Sequence, residues 1–270
     1  PRNLWPKKIS LNEMLIAEGR KMSKSFGNVI PIRKSVESFG ADTVRLYLIY
    51  AADPETTLDW RGSQVENTKK RVIQFYDIAS SITELRGDVP IRDIDLWLIS
   101  RLQTAVMETR SSLNTSKARR AVQYAFYNLL NDFNWYFRRA DKQNPKILGE
   151  FANVWTRLMA PFMPFISEEL WEKLGNKGFV SNSEYPEPDE NKINPIIEAQ
   201  EEMIKNLMDD ISSIIDVTKI RPKKIYLYIA PEWRYKIYEA IKSDKTIKDV
   251  MNDPSLKQYG KEISKIMQTR

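Results

Sequence analysis

The sequence contains no cysteine and no histidine among its 270 residues. Those two absences exclude disulfides, thiolate nucleophiles, a histidine general base and most zinc sites. Chemistry here has to come from lysine, arginine, hydroxyl and carboxyl groups, and no zinc is expected. Long apolar runs are absent as well: Arg157 interrupts the best candidate, residues 154–166, well short of the roughly 20 residues that span a bilayer. No basic-then-apolar leader opens the chain, so a cytoplasmic protein without membrane association is expected. The chain starts at Pro1 rather than Met and is read as a piece of a longer protein.

What is present fits a soluble globular chain, with 42% hydrophobic and 29% charged residues. Its length allows about two or three domains. The net charge of +6 is modest and unevenly placed. Residues 1–50 hold nine Lys and Arg against four Asp and Glu, whereas residues 151–200 hold four against eight. A basic end beside an acidic interior is compatible with a polyanion partner at selected surfaces, although a solvated lysine face gives the same count.

The pattern begins as mixed α/β. Extended pieces are expected at Trp5 to Ile9 and Glu13 to Ala17, with a turn at Glu18-Gly19. Short helices follow at Lys34 to Phe39, closed by Gly40, and at Asp42 to Ala52, then a strand at Thr57 to Trp60. From Ser63 the period turns helical, with Val65, Thr68, Val72, Phe75, Tyr76, Ala79 and Ile82 on one face. A second helix is expected from Asp93 to Leu113, with Leu96, Ile99, Leu102, Val106 and Leu113 inward. The third runs from an N-cap at Ser116 to Asp141. The fourth starts near Pro145, breaks at Pro161 and Pro164, and resumes to Leu174 before Gly175. Four long helices with short links favour an antiparallel bundle. Asn194-Pro195 opens a further helix to about Val217. Lys223 to Ile229 alternates like a strand, and Pro231 to Ser243 is again helical. A lone strand cannot satisfy its backbone, so this last module needs further partners.

Lys21-Met22-Ser23-Lys24-Ser25, followed by Phe26-Gly27-Asn28, carries the most chemistry. Two ammonium groups, two hydroxyls and a flexible glycine in one short segment suit a loop that grips a polyphosphate and releases it. A solvated basic loop is the plain alternative. Asp93 and Asp95 have no third ligand nearby and are read as carboxylates at a helix start, not as a metal site.

The lysine run resembles the signature loop of class I aminoacyl-tRNA synthetases. Phe39-Gly40-Ala41-Asp42-Thr43-Val44-Arg45-Leu46-Tyr47 resembles the segment that follows it in the Leu, Ile, Val and Met members. Asp59-Trp60-Arg61, Asp93 to Trp97, Asn131 to Arg139, Leu158 to Phe165 and Glu168 to Trp171 look like leucyl-tRNA synthetases of the archaeal and eukaryotic type. The similarity extends to Lys261 to Ile266. It implies a mainly α fold in three parts. Residues 1–61 are the end of the catalytic half, with the lysine loop and a stem-contact-type α/β module. Residues 62–190 are a helical bundle of the anticodon-binding type, and 191–270 an incomplete C-terminal α/β domain.

By that resemblance Lys21 and Lys24 are the catalytic lysines, and Lys21, Met22, Ser23, Lys24 and Ser25 hold the ATP phosphates. ATP with Mg²⁺, leucine and leucine tRNA are then the partners of the complete enzyme, which is expected to be a monomer, and this segment alone is expected to be inactive. Candidates for tRNA contact are Lys69, Lys70 and Arg71; Lys117, Arg119 and Arg120; Arg138 and Arg139; and Lys219, Arg221, Lys223 and Lys224. Trp135 is read as core. Two departures stand out: Phe26 occupies a place where Lys is common, and Phe165 one where His is frequent. The first, with the missing histidine motif, keeps open a tRNA-binding or scaffolding paralogue that does not aminoacylate; an isoleucine or valine synthetase is a further alternative.

Overall fold

The computed structural model describes residues 5–6, 13–243 and 245–268, so most of the extended piece expected at Trp5 to Ile9 lies outside the described residues. The chain divides into two compact units, Pro1–Met208 and Asp209–Arg270.

The first unit opens with a three-stranded sheet whose central strand is the first in sequence. β1 (Leu15–Ala17) and β2 (Arg20–Lys21) form an antiparallel hairpin. Its two turn residues, Glu18 and Gly19, both have positive φ, at 49° and 75°. That is the backbone a tight two-residue hairpin requires. The chain then crosses through α1 (Ile32–Phe39) and α2 (Ala41–Tyr50) and returns as β3 (Leu58–Trp60), parallel to β1. Val44, Tyr47, Trp60 and Val65 form a small core over which Leu15 and Phe39 pack.

The bundle comprises α3 (Gly62–Ile82), α4 (Asp93–Asn114), a composite third helix, α7 (Pro145–Met159) and α8 (Pro164–Lys173). The third helix is α5 (Ala118–Val122), a π-helical segment at Gln123–Asn128, and α6 (Leu129–Arg139). Phe75, Trp97, Phe126, Phe151 and Trp155 are fully buried in the shared core. The Trp155 indole finds its acceptor in the Ala125 carbonyl at 2.7 Å, so the core keeps a large ring without stranding its N–H.

Three sequence expectations change here. Leu96 is 43% exposed; Trp97, Leu98, Ile99, Leu102 and Val106 supply the inner face of α4 instead. Ser116 is not an N-cap. It takes φ +60° and closes α4: Ser116 N–H donates to Leu113 O at 3.0 Å and Lys117 N–H to Ser112 O at 2.8 Å. That paired pattern satisfies the last carbonyls of the preceding helix. Lys117 therefore stands at the start of α5, without a side-chain cap. The third helix also ends at Arg139 and is not α-helical throughout.

Between α7 and α8 the prolines leave carbonyls and N–H groups that the helices cannot satisfy internally. α2 supplies the partners. Arg45 donates to Pro161 O at 3.0 Å and Phe162 O at 3.3 Å, and Asp42 Oδ2 accepts from Ile166 N–H at 2.7 Å. This two-ended clasp attaches the lysine-loop module to the bundle.

α9 (Pro195–Thr218) starts as expected, with Asn194 Oδ1 accepting from the N–H groups of Ile196 and Ile197. In the second unit, α10 (Glu232–Lys242), α11 (Ile247–Met251) and α12 (Gly260–Gln268) enclose a small core of Ile237, Ala240, Val250, Leu256 and Ile263. The alternating run 223–229 has neither helix nor strand structure and pairs with no strand among the described residues; Tyr228 and Ile229 are 94% and 85% exposed. Alternation supplied the strand's side-chain pattern but not a ladder partner.

Candidate functional site

The lysine loop leaves β2 and folds onto its own backbone. Asn28 Oδ1 accepts from Ser23 N–H at 2.8 Å, while Asn28 Nδ2 donates to Lys21 O at 3.1 Å. One amide thus brackets both ends of the segment. Inside the bracket, Gly27 N–H donates to Lys24 O at 3.2 Å with Gly27 at φ +66°, a conformation that favours glycine. The Ser23 and Ser25 hydroxyls lie 2.8 Å apart. Lys21 and Lys24 are exposed, Met22 and Ser23 half-buried, and among the described residues neither lysine is paired with a carboxylate.

The hairpin that presents this loop is fixed at its tip. Gly19 N–H donates to Asp59 Oδ1 at 2.9 Å, and Gly62 N–H to Glu18 Oε1 at 3.0 Å. The Gly19 N–H and then the Arg61 guanidinium hold the Asp59 carboxyl below its usual range. Tyr47 ties the same corner to α2, its hydroxyl donating to Asp59 O at 3.0 Å and accepting from Arg61 N–H at 3.2 Å. Sequence reasoning used Asn28 only as context, read Glu18 as a turn residue and Asp59 as part of a family motif, and assigned neither a part in holding the loop. An amide beside a glycine at the loop's close was the available signal for the first. The pairing of residue 19 with residue 59 had no local signal.

Together these groups form an exposed double cation beside two hydroxyls on a pre-shaped turn. That arrangement can hold a polyphosphate, whose charge two unpaired ammonium groups would offset. Among the described residues no three Asp or Glu side chains come together to hold a metal ion.

The basic residues singled out from sequence do not form one patch. Lys69 Nζ donates to Ser38 O at 3.0 Å and Arg71 to Gln74 at 3.2 Å, with Lys70 exposed beside them on α3. Lys117 is exposed. Arg119 is paired with Asp53 at 2.8 Å and Arg120 with Glu108 at 2.9 Å, which relieves the cost of placing cations at a helix start. Arg138 lies over the Trp135 ring, and Arg139 is bound to the buried Glu201 at 2.7 Å. Trp135 itself is half-buried, with its indole N–H on Glu201 at 2.8 Å. Lys219, Arg221, Lys223 and Lys224 belong to the second unit and are exposed, Lys224 lying over the Tyr226 ring.

Two family models match the chain: "tRNA synthetases class I (M)" over residues 3–74, and "Anticodon-binding domain of tRNA ligase" over residues 95–227. The chain therefore belongs with the class I tRNA ligases, its lysine loop in the first match and most of its bundle in the second. Within that class it is homologous to leucine–tRNA ligases over nearly its whole length. It is 42% identical to that of Pyrococcus horikoshii over 98% of this chain, and 42% identical to that of Methanocaldococcus jannaschii over 99%. It spans 28% and 29% of those relatives' lengths. Among solved structures it is similar to the Agrobacterium radiobacter K84 agnB2 LeuRS, crystallised in a ternary complex with tRNA and LeuAMS. The TM-score is 0.58 and the identity 25%, covering 68% of this chain and 24% of that one.

Proposed function

We propose that this chain is the part of a leucine–tRNA ligase that carries the phosphate-gripping lysine loop and the helical tRNA-binding surface. The observation that carries the reading is the pair of exposed, unpaired ammonium groups, Lys21 and Lys24, on a turn bracketed by Asn28. In the proposed reaction the leucine carboxylate attacks the α-phosphorus of ATP, the bond to the β-phosphate oxygen breaks, and pyrophosphate leaves. Lys21 and Lys24 stabilise the charge that accumulates on the leaving group, with the Ser23 and Ser25 hydroxyls and the loop N–H groups other than those of Ser23 and Gly27 as further donors. Mg²⁺ supplies additional charge neutralisation when it accompanies ATP. The leucine is then transferred to its tRNA, and the names of the homologues support leucine over isoleucine or valine.

The division of labour follows the three parts read from sequence: 1–61 for phosphates, 62–190 for tRNA, and 191–270 as a smaller accessory domain. Of the basic residues, Lys70 and Lys117 are the freest to meet phosphate, followed by Lys219, Arg221 and Lys223 in the second unit, while Arg138 lies over the Trp135 ring and reaches phosphate by sharing that contact. Lys69, Arg71, Arg119, Arg120, Arg139 and Lys224 reach RNA by exchanging or sharing their present contacts. A monomeric, cytoplasmic enzyme is the simplest setting; no helix among the described residues is long and apolar enough to cross a membrane.

The test is ATP–pyrophosphate exchange with the complete protein. Lys24→Ala is expected to slow activation by about 10²–10³-fold, the usual loss for one oriented donor. An unchanged rate removes Lys24 from this role. The 270-residue chain alone is expected to show no exchange, because a phosphate loop without the facing half of its pocket cannot position leucine against ATP.

A further inference from the structure

A second polar site lies between the end of α2 and the third bundle helix. It is a cleft of about 510 Å³, open to solvent and lined by Tyr50, Asp53, Arg119, Arg120, Gln123, Tyr124 and Asn128. That volume lies within the range of small-ligand sites, about 300–1,000 Å³. Its floor exists because of the π-helical segment. Residues 123 and 128 are five apart, and an α-helix at about 100° per residue would send them roughly 140° apart around the axis. The wider π turn brings them to one face, where Gln123 Nε2 donates to Asn128 Oδ1 at 2.7 Å. Such wide turns recur at functional sites.

The hydrogen bonds give the floor a direction. Tyr50 Oη donates to Gln123 Oε1 at 2.6 Å, and Gln123 passes its own N–H to Asn128. Acceptor capacity is consumed along the relay, and the Asn128 amide nitrogen is left as its donor end. The two guanidiniums add further N–H groups beyond those they already use, since each arginine has five. Arg119 spends two, on Tyr50 O and Asp53, and Arg120 spends N–H groups on Glu108 and on the Tyr124 hydroxyl. Asp53 is the only acid lining the cleft, and Arg119 neutralises it. Arg120 also lies over the Tyr124 ring, 5.6 Å from its centroid, making a flat cationic shelf beside the donors.

We propose that this cleft receives one unpaired base of the bound tRNA, stacked against Tyr124 and Arg120 and read through its acceptor atoms by Asn128. The proposal rests on the tRNA-binding reading above and deepens it. An unpaired base offers both an open edge and a π-face, whereas a base in an A-form helix hides its distinguishing edge. A nucleotide tethered to the rest of the RNA needs no enclosing walls, which suits a cleft this open. Arg119 is paired with Asp53 and Arg120 with Glu108 just outside the lining, so neither guanidinium lacks a counter-charge, which favours a neutral base over a phosphate.

The test uses this chain and a leucine tRNA transcript, with affinity measured across a salt series and unpaired bases mapped by chemical footprinting. Two variants are compared with wild type after circular dichroism confirms their fold. Tyr124→Ala removes the stacking face. Asn128→Asp still accepts from Gln123 but loses the donor. Each is expected to weaken binding about tenfold and to restore reactivity at the same single base, with the rest of the footprint intact. The salt slope of Tyr124→Ala should equal wild type; a slope lower by about 0.9 would place a phosphate in the cleft and overturn the base assignment. Wild-type footprint and affinity in both variants overturn this proposal while leaving tRNA binding standing. No binding by the wild-type chain overturns both.

Discussion

Asp42 on α2 and Asp59 on β3 respond to acid in opposite ways. Burial pushes the Asp42 carboxyl up, against the lowering effect of the Ile166 and Phe165 N–H groups and the Arg45 charge. Its folded pKa exceeds its unfolded one, so its contribution is complete below the ordinary carboxylate range and is lost as pH rises through the folded value. Asp59 is held down by Gly19 N–H and Arg61, so its contribution is present above its unfolded pKa and lost as pH falls through the depressed value. Urea unfolding between pH 3 and 7 should separate the two. On acidification the stability gap to Asp42→Asn moves in favour of wild type, while the gap to Asp59→Asn closes. Identical pH dependence in all three proteins would contradict these assignments. A third residue, Tyr136, is fully buried; it donates to the equally buried Asp95 at 2.6 Å and accepts from Asn144 N–H at 3.2 Å. Burial, then the bond to Asp95, pushes its hydroxyl up to about 12. Tyr136→Phe leaves Asp95 short of a donor and should cost about 1–3 kcal/mol by chemical denaturation.

Among the elements, α2 holds the module and the bundle together. Arg45→Met keeps the aliphatic stem but removes both bonds to the α7–α8 link, and a loss of about 1–2 kcal/mol is expected. Thermal unfolding should show it, and an unshifted midpoint would mean the link satisfies itself. The Asp42 and Arg45 that marked the family resemblance thus have a local mechanical reason. Much of the element order was legible because it rests on short-range signals: the 3.6-residue period of α3 and α4, Gly40 and Gly175 at helix ends, and prolines at 161 and 164. What escaped was set by neighbours. Ser116 reads as an N-cap on its own, and only the end of α4 turns it into that helix's terminator. The π segment has no local signature in Gln123–Asn128, since its wider turn shows only in the finished bundle. The run at 223–229 has a strand's side chains and no partner. In the site, the lysines were legible from residue type and spacing, whereas the Asp59 tether joins residues 40 positions apart.

For the whole chain, α9 runs across the boundary between the two compact units, and exposed backbone without helix or strand follows it from 219 to 230. That stretch contains Lys219, Arg221, Lys223 and Lys224, and exposed backbone outside regular elements is where proteases cut. Brief trypsin treatment should first yield a product of about 1–220 and a smaller C-terminal piece, identified by mass spectrometry. If cleavage instead begins inside α3 to α8, the bundle is less stable than its fully buried aromatic core indicates.

The Asn28 bracket also bears on thermodynamics. The segment from Lys21 to Asn28 is already curved and hydrogen-bonded before any anion arrives, so little backbone freedom remains to be lost on association. Calorimetry of a polyphosphate at this loop in the complete protein should then show a small conformational entropy penalty, with affinity governed mainly by ionic strength. Asn28→Ala should reverse that balance, leaving both lysines in place but making their alignment entropically costly.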